Sequence, residues 1–445
     1  GGEIVTNHGW RAGLLWVGLG VLCALLVEVP DASAQAAALK ADTGDTAWVL
    51  MSSALVLVML VPGLALFYGG LVRSKNVLGT IMQSFIVLSV VSLLWILIGY
   101  SLAFGPDKGG VIGGLDWAGL NGVGVDPHPT YGPTIPHQAF MFFQMMFAAI
   151  TPALIAGAFA ERKRFSAMVI FSALWSLFVY VPLAHWIWGG GWLAKMGALD
   201  FAGGAVVHIS SGAAALVCAI VLGKRRGYGT DYMAPHNLPM ALLGTGLLWF
   251  GWFGFNGGSA LGANGVAISA IVSTHTAASM GAVVWCIAEW LHRGKPTVLG
   301  VASGAVAGLA TVTPASGYIG PFAALLIGAA AGLACYFAIV WKGRFGYDDS
   351  LDVVGIHGVG GVLGILATGL FASKAINSGG ADGLLYGNPA FFGVQVLTVV
   401  VVAVFSAVVT FLLLKLVDGM TKLRIEPEAE ATGLDLSQHN ERAYS

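Results

Sequence analysis

Two stretches decide how this chain folds: Phe201–Gly212, FAGGAVVHISSG, and Asp352–Gly361, DVVGIHGVGG. Each sets one histidine among glycine, alanine or valine inside an apolar run. Ionisable side chains are costly and rare at bilayer depth. A matched pair of them therefore asks for a physical reason.

The rest of the sequence fixes the solvent. Of 445 residues, 57% are hydrophobic and only 10% charged, with a mean hydropathy of +0.82. A soluble globule carries about 25% charged residues, so this chain cannot cover its own surface with polar groups. Several unbroken apolar runs reach the ~20 residues a spanning helix needs. These runs predict an all-α polytopic membrane protein; a β-barrel would show short alternating segments instead. The formal net charge of -1 argues against a nucleic-acid partner. Cys23, Cys218, Cys286 and Cys335 lie in apolar runs without paired spacing and read as small buried hydrophobes.

Near the start, Arg11 precedes AGLLWVGLGVLCALLVEV, and Ala32–Ala36, ASAQA, follows. A basic residue, an apolar core and alternating small residues describe a secretory signal peptide over residues 1–36, cleaved near Ala36. Beyond it we read eleven spans: 47–70, 77–100, 137–160, 165–188, 200–222, 237–258, 266–291, 297–314, 319–341, 351–373 and 389–416. The glycine-rich 297–314 is the shortest of them. Alternating sides from an outside N-terminus puts Arg73, Lys75, Arg162, Lys163, Arg164, Lys224, Arg225, Arg226, Arg293, Lys295, Lys342, Arg344, Lys415, Lys422 and Arg424 on one face. The other face holds Lys40, Lys108, Lys195 and Lys374. That bias predicts a cytoplasmic C-terminus. The connection 101–136 is expected to form a small ordered cap on the outer face. The polar tail, 417–445, is expected to be mobile unless a partner or a neighbouring subunit orders it.

The count has an internal symmetry. Residues 47–222 and 237–373 each hold five spans, and the fifth of each carries His208 or His357. Five is odd, so the second repeat is inverted relative to the first, with 389–416 as a final helix. Inverted repeats place a substrate path at their interface. His208 lies ~12 Å into its helix at 1.5 Å per residue, and His357 enters from the opposite face. Packing histidines, or a haem or metal pair, are the alternatives. No cysteine, methionine or carboxylate completes a metal set and no CxxCH motif is present. Two neutral imidazoles instead can bond each other and keep a donor or acceptor for a small polar guest.

Aromatic residues gather nearby: Trp249–Ser259, WFGWFGFNGGS; Phe143–Phe147, FQMMF; and Trp188. They read either as an interfacial belt or as a cage whose ring faces attract a small cation. Asp200 precedes the His208 helix, where a carboxylate caps N–H groups or lowers the potential for a cation.

The phrases GALDFAGGAVVHISSG, HNLPMALLGTGLLWFGWFGFNGGS, TPALIAGAFAERKRFSA and DVVGIHGVGGVLG closely resemble the ammonium transporter/methylammonium permease family, the bacterial Amt branch more than the Rh branch. The likeness covers about 45–440. It implies ammonium and methylammonium uptake across the bacterial cytoplasmic (inner) membrane by a homotrimer with one pore per subunit. No enzymatic activity, cofactor or metal is implied. By resemblance, Trp188, Ser259 and Phe147 recruit NH4+ externally, and Phe147 and Phe255 form a phenylalanine gate. Asp200 is the external acid, and His208, His357 and Trp252 line the pore. Asn256 supports the helix break. Deprotonation near the gate, passage as NH3 and electrogenic net NH4+ transport follow from the same likeness. It also implies a PII-type regulatory protein at the cytoplasmic face. The alternative is an ammonium sensor that signals through a cytoplasmic partner. Two departures stand out. Gly257 in GFNGGS replaces the alanine of many relatives, and Asn440 stands where a tail phrase has glycine; asparagine tolerates a left-handed backbone.

Overall fold

The computed structural model describes residues 39–444. The expected signal peptide lies outside the described residues, as does Cys23. The described chain is mostly helical. Ten helices are long and apolar enough to cross a membrane: α1 Thr43–Leu71, α2 Ser74–Phe104, α3 His137–Phe159, α4 Phe165–Lys195, α5 Gly204–Leu222, α6 Leu238–Ala260, α7 Gly265–Arg293, α9 Pro321–Phe345, α10 Val354–Phe371 and α11 Pro389–Thr421. Between α7 and α9 lies α8, Val298–Val312. The span expected at 297–314 is thus a 15-residue helix, ~22 Å long at 1.5 Å per residue. It falls short of the ~30 Å apolar core of a bilayer because Pro314 cannot continue it.

Helix starts carry their own stop signals for the preceding loop. Asp42 accepts from the Asp45 amide, Asn237 from Met240, Asn264 from Val266 and Ala267, Thr297 from Gly300, and Asn388 from Phe391. Each side-chain oxygen satisfies an amide that the first turn leaves without a partner.

Small residues then set how closely the helices approach. A Cβ on Gly308 of α8 would meet the Ala277 carbonyl oxygen of α7 at 2.2 Å. A Cβ on Gly212 of α5 would meet the Gly358 Cα of α10 at 2.2 Å. Backbone contact of this kind, rather than side-chain interdigitation, is how helices associate without a hydrophobic driving force in lipid.

The 101–136 connection is an ordered cap, as its composition suggests. Strand β1, Asp107–Lys108, pairs antiparallel with β2, Ile112–Gly113; β3, Pro127–His128, pairs with β4, Gly132–Pro136. The cap is fastened to the bundle by Ser101 Oγ, which donates to the Gly114 carbonyl (2.8 Å), and by Tyr131 stacked on Phe140 (5.1 Å).

At the opposite end, four interhelix loops meet in one ionic knot. Glu161 accepts from the Arg73 amide (2.7 Å) and Nε (2.9 Å), and Arg225 forks onto Asp348 at 2.9 Å. Burial alone would raise the Glu161 carboxyl; the Arg73 bonds and the Arg225 charge outweigh it and hold the group below its usual range.

The tail corrects an expectation. Its own chain orders it: α12, Pro427–Thr432, and α13, Leu434–His439, dock on the first turns of α2. Lys75 Nζ donates to the Ala431 carbonyl (2.7 Å), Asp435 accepts from the Gly79 amide (2.8 Å) and Asn76 accepts from the Leu434 amide (2.8 Å). The polar composition that reads as mobile is a set of partners for loop amides and cations. Asn440 closes α13 at φ +54°, the left-handed conformation its side chain tolerates.

Candidate functional site

The two histidines meet. His208 Nδ1 and His357 Nδ1 lie 3.1 Å apart, with ring centroids at 5.1 Å and planes 23° apart. Both side chains are buried, His208 completely. Each sits in a π-helical turn, Gly204–Ile209 in α5 and Val354–Gly358 in α10. Such wide turns recur at functional sites, and nothing in residue type announces them. The glycine contact between Gly212 and Gly358 is what lets the two backbones come close enough for the imidazoles to touch.

With Nδ1 facing Nδ1, one nitrogen donates and the other accepts. The accepting ring then carries its own proton on Nε2 when neutral. His208 Nε2 is buried and without a protein partner.

The aromatic candidates extend this pair as a column of rings. Trp252 lies 5.6 Å from His208, planes 29° apart, and its indole N–H donates to Thr313 Oγ1 (2.9 Å). Phe255 follows at 6.1 Å from His208, Phe147 at 4.3 Å from Phe255, and Trp188 edge-on at 6.0 Å from Phe147. Thr313 is a residue that sequence reading missed; only the fold brings it under Trp252.

Ser259 lies half-buried past the end of the regular part of α6, and its hydroxyl donates to the Phe255 carbonyl at 2.8 Å. Its proton is thereby occupied and its lone pairs stay free to accept. Gly257 lies in the same break, where a Cβ would meet Ile271 Cγ1 at 2.7 Å. Glycine at this position therefore suits the local packing. Asn256 donates to Thr274 Oγ1 (2.8 Å), tying the break to α7.

Asp200 caps α5. Its two oxygens accept from the amides of Gly203 (2.8 Å), Gly204 (2.6 Å), Ala205 (2.7 Å) and Val206 (3.0 Å). Burial pushes this carboxyl above its usual range, and the four amides pull it back. Its backbone carbonyl accepts the Trp188 indole N–H (2.7 Å), so one residue fixes both the α5 terminus and the tryptophan.

Beyond His357 the column opens into a cavity of ≈ 200 Å³ whose walls include Phe67, Tyr68, Ser303, Asp352 and His357. Tyr68 donates to the Leu154 carbonyl (2.9 Å), and Asp352 is paired with Lys342. Neither residue stood out in the sequence, since each lies in an ordinary helix or loop context. Among the described residues, no group of three or more histidine, cysteine or acidic side chains is arranged to hold a metal ion.

The family model described as Ammonium Transporter Family matches residues 47–444. The chain belongs to that family. It is 54% identical over 402 residues to the ammonium transporter of Bacillus subtilis, covering 90% of this chain and 98% of that one. It is 50% identical over 403 residues to the ammonium transporter Amt1 of Archaeoglobus fulgidus, covering 90% and 99%. Among solved structures, Mep2 of Saccharomyces cerevisiae superposes with a TM-score of 0.82 at 36% identity, covering 87% of this chain and 88% of that one. A structure named Sensor Amt Protein superposes with a TM-score of 0.81 at 30% identity, covering 89% and 98%. The ammonium transporter fold therefore carries the ring column described above.

Proposed function

We propose that this chain takes up ammonium and methylammonium across the bacterial inner membrane. Family membership supports the substrate class. The observation that carries the mechanism is the column Trp188–Phe147–Phe255–His208–His357, ring against ring, ending in a cavity.

In this reading NH4+ is captured by the Ser259 oxygen and the faces of Trp188 and Phe147. Ammonium and potassium are alike in charge, and both are attracted by ring faces. The water-poor passage beyond penalises a bare charge by several kcal/mol or more. Ammonium escapes the penalty by giving up H+ near the Phe147–Phe255 gate and passing as NH3 along His208 and His357. Potassium has no proton to lose. Water at the gate accepts the proton, which crosses separately by a water-linked route along His208 and His357, so net NH4+ moves and the transport is electrogenic. Asp200 acts by holding the entrance, since its lone pairs are engaged by four amides.

The same reading places 389–416 as the final span after two inverted five-helix repeats, 47–222 and 237–373, with α8 counted as a span to give eleven. It places the N-terminus outside after loss of residues 1–36, and the tail in the cytoplasm. The loop charges support that orientation. Three copies assemble with one pore each, and a PII-type protein acts at the cytoplasmic face.

A sensor reading has one observation behind it, the likeness to the structure named Sensor Amt Protein. Purified protein in liposomes separates the two. Current on a solid-supported membrane and internal pH are recorded under ammonium, methylammonium and potassium gradients. Charge movement with the first two and none with potassium is the expected result. Equal potassium current would end the deprotonation filter, and absence of flux with partner-dependent signalling would favour the sensor.

A further inference from the structure

The capture column leaves two buried imidazoles unused, His137 and His185. His185 of α4 is completely buried, three residues before Trp188. Its Nδ1 lies 2.9 Å from the Ala103 carbonyl oxygen, and its Nε2 lies 2.9 Å from a carboxylate oxygen of Asp107 in the cap. Lys195 Nζ sits 2.5 Å from the other Asp107 oxygen, and these hydrogen bonds, Lys195 first and His185 second, hold that carboxyl at about 2. Both ring nitrogens therefore face acceptors. A neutral imidazole has one N–H and satisfies one of them; the imidazolium satisfies both.

This ring ties the cap to the turn that carries Trp188. Asp107 opens β1 and also accepts from the Gly110 amide (2.7 Å). The Gly110 carbonyl accepts from the Trp192 amide (3.0 Å), and the Trp186 indole donates to the Val111 carbonyl (2.8 Å). The His185 carbonyl in turn accepts from the amides of Gly189 (3.1 Å) and Gly191 (2.9 Å). Trp188 lies between, its ring edge-on to Phe147.

We propose that His185, as an imidazolium clamped by Asp107, is a positioning residue that sets Trp188 in the capture site, so that cation capture weakens as this ring loses its second proton. The other titratable groups on the elements packed around it are engaged elsewhere, buried or exposed. Tyr100 bonds His137, Tyr131 reaches Gly189 O at 3.4 Å, and Tyr180 is a buried phenol. Asp200 faces the α5 amides, His208 faces His357, and Lys108 of the cap is exposed. The proposal rests on Trp188 belonging to the capture site.

Full-length protein in liposomes tests it with methylammonium, which stays ionised across an assay range of about pH 5 to 8. Wild type is expected to show a half-saturating concentration that rises with pH at little-changed saturating current. His185→Gln and Asp107→Asn are expected to raise it severalfold at the acid end and to flatten its pH profile, with Asp107→Glu restoring the wild-type profile. Asp107→Asn carries the test if His185→Gln fails to fold, because the carboxylate is part of the cap and not of the bundle. Wild-type half-saturation and pH profile in Asp107→Asn would overturn the proposal, as would a loss confined to saturating current. Trp188→Leu separates the two ideas. If it leaves half-saturation unchanged, the capture reading itself fails; if it raises half-saturation while Asp107→Asn does not, only the clamp fails.

Discussion

Between the two Nδ1 atoms at 3.1 Å there is room for one proton, and that constraint governs the residue scale. One Nδ1–H between the rings makes the bond, and a proton on both Nδ1 atoms would end it. A guest that both donates and accepts matches the Nε2 edge left over; a monatomic ion does not. Removing one ring by His208→Ala leaves a buried nitrogen of His357 unpaired, at about 1–3 kcal/mol. The ammonium current is expected to fall by roughly tenfold or more, or its discrimination against potassium to collapse. Liposome currents under matched gradients of the two ions report which. Ser259→Ala removes a lone-pair acceptor from a half-buried site. Half-saturating ammonium should rise by about two- to tenfold, the equivalent of one ordinary hydrogen bond, while the saturating current holds. A fall in saturating current alone would take Ser259 out of capture.

Helices α5 and α10 meet through hydrogen and backbone, so the element scale is controlled by what is missing. Gly212→Leu puts a Cβ on the Gly358 backbone at 2.2 Å, and Gly204→Leu puts one on the Pro314 ring at 2.3 Å. Either is expected to force the helices apart, at ~1–3 kcal/mol typical of overpacking and more where backbone must yield. Thermal unfolding in detergent measures the loss, and Gly246→Leu, whose Cβ has open space, serves as the control. Lys163, between α3 and α4, presents the reverse case. Its Nζ lies over the rings of Phe159 (3.9 Å) and Phe171 (3.8 Å) without a hydrogen-bond partner, and burial pushes it down to about 8. The unfolded chain then binds more protons than the folded one between pH ~8 and ~10.4, so this group makes stability rise with pH across that window. Lys163→Met is expected to unfold at a higher temperature than wild type at pH 7, with the gap narrowing toward pH 10. A gap independent of pH would mean the ring contacts offset the cost of burying the charge.

At the scale of the whole molecule, four loops and the tail are one electrostatic unit. Glu161, Arg225, Asp348 and Arg73 join the loops, while Glu430 takes Arg424 (2.7 Å) and the Arg226 amide (2.7 Å) from the tail side. Truncation after Thr421 would strip partners from Lys75, Asn76 and the Gly79 amide together. Hydrogen exchange at Gly79 is expected to quicken severalfold, because its amide would face solvent in place of Asp435. Unchanged protection there would show that α2 holds itself without the tail. The sequence had suggested a mobile segment, since polarity and low hydrophobicity are all that composition can report. Docking depends on pairings between residues more than 350 positions apart.

What the sequence by itself determined is solvent and inventory. Apolar runs must become helices in lipid, because no other open structure satisfies their backbone there. Glycine-flanked His208 and His357, the GFN phrase and the Asp200 cap position were all legible as residues whose types do not belong at that depth without a use. Only the tertiary structure decided that the imidazoles touch through Nδ1, that they sit in widened helical turns, that Thr313 holds Trp252, and that His185 has acceptors on both sides. Those facts depend on distances between elements remote in the chain. Such distances are set by which glycines let backbones meet, and no local pattern of residues contains them.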